Sequence, residues 1–362
     1  MKPEVFVQKI KNKSFSPFMG VPCSVFKSLL NYITTEPSLE NYICSSEGES
    51  MGLAAGFALS DKTPVIYMQN DGYGNAVNPL SSLQLMYKLP ALMLISWRAE
   101  PGNKDAPQHK IMGETITQLL DIFYIPYKIL SDSNLDESLQ HAEKYIKSES
   151  KPFALIVKKG YFDTFKINIE NKRKLKPRVE YLEILYENIG EADILLGATG
   201  FSGRELYQTT KREGKFYMMG SMGCLPSIGL GIAIENPEKR IFVIDGDGAL
   251  LMKLGTLSTI GFYSPNNLIH ICFDNQEYES TGEQPTTSMT TDFSQIAKCC
   301  GYDEVFSIHE PEKFKTLLNG LGKQKAPVFI HIQIKSGSIK GLSRPQESPE
   351  EMRDKLNKAL RK

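Results

Sequence analysis

The chain has 362 residues, of which 41% are hydrophobic and 23% charged, which is globular composition with room for two buried cores. Its 42 basic and 42 acidic side chains cancel, so no overall field recruits nucleic acid or an anionic membrane, and any anion binding must be local. MKPEVFVQKI lacks the apolar stretch of a signal peptide and no membrane-length apolar run occurs, so the expectation is a cytoplasmic protein with no membrane partner.

Short apolar runs bordered by turn residues alternate with helical patterns: TPVIYMQNDG, ALMLISWR, ADILLGATG, RIFVIDGDG, NLIHICFDN and APVFIHIQIK read as strands. That alternation predicts an α/β fold with parallel sheets, whose ligands bind beyond the carboxyl ends of the strands. Six cysteines (Cys23, Cys44, Cys224, Cys272, Cys299, Cys300) form no CxxC pair and no zinc-ligand spacing, as expected of reduced, mostly buried thiols, with Cys299 and Cys300 structural.

In chain order, the first chemically suggestive stretch is YICSSEGESMGLAAGFALSDK. A Ser-Ser-Glu-Gly turn places Glu47 at a helix start, where small residues let a ring lie close. Glu47 is either a capping acid answering the upstream serines or an acid with a chemical task; Glu49 reads as a solvated first-turn acid. After ALMLIS, the loop SWRAEPGNKDAPQHKIMGE gathers Arg98, Lys104, His109 and Lys110. Arg98 suits forked binding of an anion better than a lysine does, and Lys104 and Lys110 also read as solvated loop charges. His109 is the proton-transfer candidate, because imidazole ordinarily titrates near neutrality.

The polar, basic stretch NIENKRKLKPRVE, residues 168–180, reads as a connection between a domain at 1–167 and one at 181–362. Beyond it, ATGFSGRELY offers Thr199, Gly200 and Ser202 to a diphosphate, or is simply a capped helix, while Arg204 contacts phosphate or pairs with an acid on its helix. Gly246, Asp247, Gly248 and Ala249 follow RIFVI; Asp274, Asn275, Gln276 and Glu277 follow NLIHICF. An Asp, an Asn amide and a loop carbonyl suit a hard cation such as Mg²⁺ shared with phosphate oxygens, and the glycines let backbone N–H groups approach those phosphates. Taken alone, the Gly-Asp-Gly is a weak signal and reads more readily as a plain strand-end turn.

Thr281 and Gln284 in ESTGEQPT offer a hydroxyl and an amide, or form a plain turn. His270 and His331 read as satisfied core residues, His141 lies on a polar helix and His309 in a loop. SRPQESPEEMRDKLNKAL predicts a terminal helix from Ser348 with Pro349 in its first turn. Neither GxGxxG nor GxxxxGK[ST] occurs, although a non-catalytic nucleotide or sugar-phosphate binding protein stays open as the reading from a different class.

The Gly-Asp-Gly followed by an Asn-containing turn resembles the signature of thiamine diphosphate-dependent 2-oxo acid decarboxylases. The resemblance implies two doubly wound parallel-sheet domains of the thiamine diphosphate-binding fold, a pyrimidine domain followed by a diphosphate domain. It also implies thiamine diphosphate and Mg²⁺ as cofactors, with Mg²⁺ held by Asp247, the Asn275 side chain and the Glu277 carbonyl. Asp274 replaces the first Asn of the family's pair, a position that is not a ligand there, so the change is expected to matter little. MGSMGCLPSIGLGIAI is similar to the family's Gly-x-Met-Gly segment, which makes Met222 the support of the bent cofactor with Ser221 among its contacts. By the same resemblance Glu47 is the acid that drives the aminopyrimidine to its imino tautomer.

QNDGYGNAVNPLSSL, SWRAEPGNKDAPQHKIMGE and YESTGEQPT are similar to the phosphonopyruvate branch of that family, with the sulfopyruvate branch close behind. The implied reaction is decarboxylation of 3-phosphonopyruvate to phosphonoacetaldehyde and CO₂ through a carbanion and enamine on the cofactor. Arg98, His109, Thr281 and Gln284 become the implied substrate contacts, His109 also transferring a proton. A homo-oligomer with active sites between subunits is implied as well. Sulfopyruvate or another short 2-oxo acid, or a synthase reaction, are the alternatives within the family.

Overall fold

The structure is a computed structural model describing residues 1–167, 174–210, 214–321 and 327–362. The chain folds into two compact units, Met1–Ile169 with Thr281–Pro285, and Glu170–Ser280 with Thr286–Lys362. Of the predicted connection, residues 168–173 lie outside the described residues.

The first unit carries strands β1 (Phe15–Gly20), β2 (Asn41–Ile43), β3 (Thr63–Gln69), β4 (Leu92–Trp97), β5 (Tyr127–Ile129) and β6 (Phe153–Lys158). They form one sheet in the order β2-β1-β3-β4-β6-β5, every pair parallel. Helices α1 (Pro3–Lys11), α2 (Lys27–Thr35), α3 (Glu47–Leu59), α4 (Tyr73–Pro79), α5 (Lys110–Ile122) and α6 (Leu135–Glu149) pack around it. Strand alternation sends Val65 and Tyr67 into one core and Ile66 and Met68 into another. Both faces are therefore covered, which is why β3 reads as an unbroken apolar run.

The second unit repeats the plan with β7 (Ile194–Gly197), β8 (Lys215–Tyr217), β9 (Ile241–Gly246), β10 (Leu268–Asp274), two short strands β11 (Glu277–Tyr278) and β12 (Gln284–Pro285), the latter belonging to the first unit, then β13 (Glu304–Ile308) and β14 (Val328–Gln333). Its sheet runs β13-β14-β10-β9-β7-β8, again parallel throughout. Ile241 and Val243 face one core and Phe242 and Ile244 the other; full burial of each such side chain contributes about 1.5–3 kcal/mol. Two parallel α/β sheets are thus present, as the alternating pattern predicts, each doubly wound, as the family resemblance implies.

The helices of this unit are α7 (Arg178–Asn188), α8 (Phe201–Thr209), α9 (Leu225–Glu235), α10 (Asp247–Met252), α11 (Thr256–Tyr263), α12 (Phe293–Cys299), α13 (Pro311–Gly320) and α14 (Pro349–Leu360). At α14 the Ser348 hydroxyl accepts from the Glu351 N–H and the Glu351 carboxylate accepts from the Ser348 N–H, a full capping box behind Pro349. Arg178, inside the stretch read as a solvated connection, instead opens α7 and is buried. Among the described residues no helix is long and apolar enough to cross a membrane.

All six cysteines are free: Cys23, Cys44 and Cys272 are buried, Cys224 and Cys300 partly so, and Cys299 is exposed. Burial therefore holds for half of the thiols rather than most, since Cys299 ends α12 on its outer side. Desolvation pushes the three buried thiols above their ordinary range, which keeps them inert.

Candidate active site

In a parallel sheet every strand delivers its carboxyl end to one edge, and in the first unit that edge collects the predicted acid, histidine and arginine. Ser46 caps α3 by accepting from the Glu49 N–H at 3.2 Å, and the Glu49 carboxylate in turn accepts from the Ser45 N–H at 2.8 Å. Glu49, not Glu47, therefore serves the helix start. Glu47 is 4% exposed, and its Oε2 accepts from Asn75 Nδ2 at 2.8 Å. A Cβ placed on Gly72 would lie 2.1 Å from Glu47 Oε1, so a side chain there would push this carboxylate out of its place.

The same loop places Asp71, whose Oδ2 lies 2.8 Å from Nδ1 of the buried His109. A carboxylate accepts only, so the His109 Nδ1 carries the proton, and Nε2, 3.4 Å from Gln108 Nε2, is the end that can accept one. Asn70 binds the Arg98 backbone at both its N–H and its carbonyl, 3.0 Å each, locking the ends of β3 and β4 together. The Arg98 side chain donates to Asp105 from Nε at 2.6 Å and from Nη2 at 2.5 Å, and its Nη1 reaches Ser24 Oγ at 3.2 Å. Burial alone would raise the Asp105 pKa, but hydrogen bonds from Arg98 and from the Ala106 and Ala99 N–H groups hold it well below the usual carboxylate range. Lys104 and Lys110, from the same loop, are exposed.

Thr281 donates to the Gln284 carbonyl at 3.2 Å, and the buried Gln284 donates to Asn31 Oδ1 at 3.3 Å. These two belong to the first unit although the chain reaches them from the second.

In the second unit, Gly200 precedes α8 at φ +90°, a conformation only glycine adopts readily. Thr199 Oγ1 donates to the Met219 carbonyl at 2.8 Å, and Ser202 Oγ comes within 3.8 Å of where a Cβ on Gly246 would sit. The turns after β7 and β9 thus share one corner. Ser221 takes φ +51° in the turn before α9, and a Cβ on Gly248 would meet the Tyr278 ring at 2.7 Å and Met222 Cε at 3.4 Å. Gly248 and Ala249 are buried in α10 behind Asp247. Arg204 lies over the Phe201 ring at 5.5 Å rather than on an acid of its helix.

Asp247, 3% exposed, accepts from the hydroxyls of Thr286 at 2.6 Å and Ser288 at 3.2 Å. Ser288 also reaches Asp274 Oδ1 at 2.9 Å, and the other Asp274 oxygen lies 3.0 Å from His331 Nε2. Burial, and then the neighbouring Asp274 carboxylate, push the Asp247 pKa from its ordinary 3.8 up to about 7. Asp274 is thus a consequential neighbour, which its place outside the ligand set had hidden. The Asn275 Oδ1 accepts from the Glu277 N–H at 3.2 Å while its Nδ2 donates to Glu279 at 3.1 Å. His270 is a core residue 3.4 Å from Asp245, although its Nδ1 has no hydrogen-bond partner; His141 and His309 are exposed.

Sequence reasoning found Glu47, His109, Arg98 and Asp247 but missed the residues that hold them, Asn75, Asp71, Asp105, Thr286 and Ser288. A signal existed for the first two: QNDGYGN crowds polar residues and glycines at the end of a buried strand.

Residues 197–332 match the family described as thiamine pyrophosphate enzyme, C-terminal TPP binding domain. A phosphonopyruvate decarboxylase from Streptomyces viridochromogenes is 32% identical over 351 residues, spanning 92% of this chain and 88% of that protein. The chain belongs to the thiamine pyrophosphate-dependent decarboxylases. Within this family a sulfopyruvate decarboxylase from Methanosarcina acetivorans is 27% identical over 99% of this chain and 97% of its own length. The beta and alpha subunits of sulfopyruvate decarboxylase from Methanocaldococcus jannaschii are 44% and 32% identical, each over 42% of this chain and over 81% and 91% of their own lengths. As a thiamine pyrophosphate-dependent decarboxylase the protein is a carboxy-lyase, and the non-catalytic reading falls away.

Proposed function

We propose that the protein decarboxylates 3-phosphonopyruvate to phosphonoacetaldehyde and CO₂, using thiamine diphosphate anchored through Mg²⁺. The observation that carries the reaction type is the buried Glu47 carboxylate, aimed by Asn75 and covered by Gly72. The choice of substrate is supported by the 32% identity to a phosphonopyruvate decarboxylase over nearly the whole chain. Bound thiamine diphosphate supplies the electron sink that no side chain offers.

The residues present fit that cofactor. Glu47 would hold the cofactor at its aminopyrimidine nitrogen and could exchange a proton there, a task suited to a buried carboxyl held by a neutral amide. Among the described residues no lysine or arginine is among the groups acting on Asp247, and no group of three His, Cys, Asp or Glu forms a metal cluster. A cation there draws instead on one carboxylate, the Asn275 amide oxygen and the Glu277 carbonyl, the oxygen set that Mg²⁺ prefers. Ser202 and Ser221 would offer hydroxyls, and Thr199, Gly200, Gly246, Gly248 and Ala249 N–H groups, to the diphosphate, the Thr199 hydroxyl being taken by the Met219 carbonyl, and Met222 would support the cofactor from beside Gly248.

On the substrate side, Arg98 offers Nη1 beside Ser24 to the phosphonate, its other nitrogens being fixed by Asp105. His109, oriented by Asp71, holds or delivers a proton at Nε2, and Thr281 and Gln284 contact the oxo acid. The pyrimidine domain is assigned to 1–167, the diphosphate domain to 181–362 with 168–180 between, and the assembly to a cytoplasmic homo-oligomer with active sites between subunits.

Sulfopyruvate is the second reading, favoured by the 44% identity to a sulfopyruvate decarboxylase beta subunit over two-fifths of the chain. Steady-state turnover of both acids with thiamine diphosphate and Mg²⁺ decides between them. A higher kcat/KM for 3-phosphonopyruvate, with phosphonoacetaldehyde released, is expected. Faster sulfopyruvate turnover selects the second reading, and no CO₂ from either acid overturns both.

A further inference from the structure

Arg178 opens α7 and splits its two terminal nitrogens between two carboxylates, Nη1 donating to Glu205 and Nη2 to Glu279, each at 2.7 Å. The three side chains are 3%, 1% and 8% exposed. Two acids and one base leave the group with an excess negative charge away from water. Such buried ionic groups contribute little net stability compared with apolar side chains of the same volume, so stability alone does not account for this one.

Its position does. The Glu279 oxygen that receives Arg178 also receives Asn275 Nδ2 at 3.1 Å. The remaining oxygens are fixed by backbone N–H groups of the following segment: Gly337 donates to Glu279 at 3.0 Å and Ile339 to Glu205 at 2.8 Å. A carboxylate can only accept, so it dictates which end of the Asn275 amide faces it. The nitrogen turns toward Glu279 and the oxygen away from it, where it accepts from the Glu277 N–H at 3.2 Å and keeps a second lone pair for a cation.

We propose that Glu279, held by Arg178, is a positioning residue that presents the Asn275 oxygen to the metal. This rests on the reading that Asp247, Asn275 and Glu277 hold Mg²⁺. Glu279→Ala leaves Arg178 balanced by Glu205, so no buried charge is stranded, while the amide loses its orienting acceptor.

The test titrates Mg²⁺ and Ca²⁺ into the intact protein with saturating thiamine diphosphate, by calorimetry. Glu279→Ala weakens Mg²⁺ binding about tenfold, the low end for a residue that orients a metal ligand. Ca²⁺ binding weakens less than about threefold, because Ca²⁺ tolerates irregular geometry that Mg²⁺ does not. Glu279→Gln, which keeps a carbonyl acceptor for Asn275, restores most of the loss. Should Glu279→Ala fail to fold, Arg178→Lys keeps the charge but loses the planar fork whose two nitrogens hold the two carboxylates separately, and the same Mg²⁺-selective loss is expected. Unchanged Mg²⁺ affinity, or equal losses for both cations, overturns the proposal. Asp247→Ala in parallel separates the two ideas: if it leaves Mg²⁺ binding intact, the metal site itself is misassigned, whereas a loss there with none in Glu279→Ala removes only the positioning role.

Discussion

Glu47 and Asp247 are both buried acids just beyond a parallel sheet, one in each unit, and their surroundings differ. Glu47 is held by the neutral Asn75 amide against the bare face of Gly72. Asp247 is held by two hydroxyls beside a second carboxylate, Asp274, which with burial drives its pKa up to about 7. Burial alone therefore does not assign a role; the partners do. A buried carboxyl held by an amide is placed to trade a proton, whereas adjacent carboxylates are relieved by a cation.

The contrast is open to direct attack. Glu47→Gln cannot donate or accept that proton, and kcat falls by at least about 100-fold, while calorimetry finds cofactor affinity within about threefold of wild type. Normal turnover would erase the distinction between the two acids. Asp247→Ala has the reverse signature, with Mg²⁺-dependent cofactor affinity falling between about 10- and 100-fold; unchanged affinity removes Asp247 from the metal site. Asn75→Ala sharpens the first half, because losing one hydrogen bond to a charged group lowers kcat about tenfold, and a variant as active as wild type shows that Glu47 is aimed by something else.

The smallest effect concerns Arg98 and Asp105. The Asp105 pKa lies below its ordinary 3.8 in the fold, so its stabilising contribution is fully present above that value and fades as pH falls toward the lower one. Asp105→Asn lowers Tm by a few degrees near neutrality, and the gap to wild type narrows below about pH 4. A gap that stays constant into strong acid contradicts the pairing.

The central strands were legible because both their faces are buried: RIFVI, NLIHICF and APVFIHI are apolar whichever way a side chain points. The edge strands β2, β5 and β8, three residues each and flanked on one side only, give no such run and were missed, as was the edge strand β13. Pro17 interrupts β1, and FALIVK in β6 is too short for its pattern to separate a buried strand from a buried helix. The site was legible in part for a related reason. Glu47, Asp247 and Asn275 stand out locally, beside glycines at strand and helix ends. Asn75, Asp105, Thr286 and Arg178 act through contacts that exist only once the chain is folded, and Arg178 sat in a basic stretch whose composition pointed to solvent.

The most direct test of the division between the two acids is the rate at which the reactive ring carbon of bound thiamine diphosphate exchanges its hydrogen for deuterium, followed by NMR in wild type and Glu47→Gln with Mg²⁺ saturating. The variant is predicted to bind the cofactor and exchange at least about 100-fold more slowly. Equal exchange rates in the two proteins would contradict the assignment of Glu47.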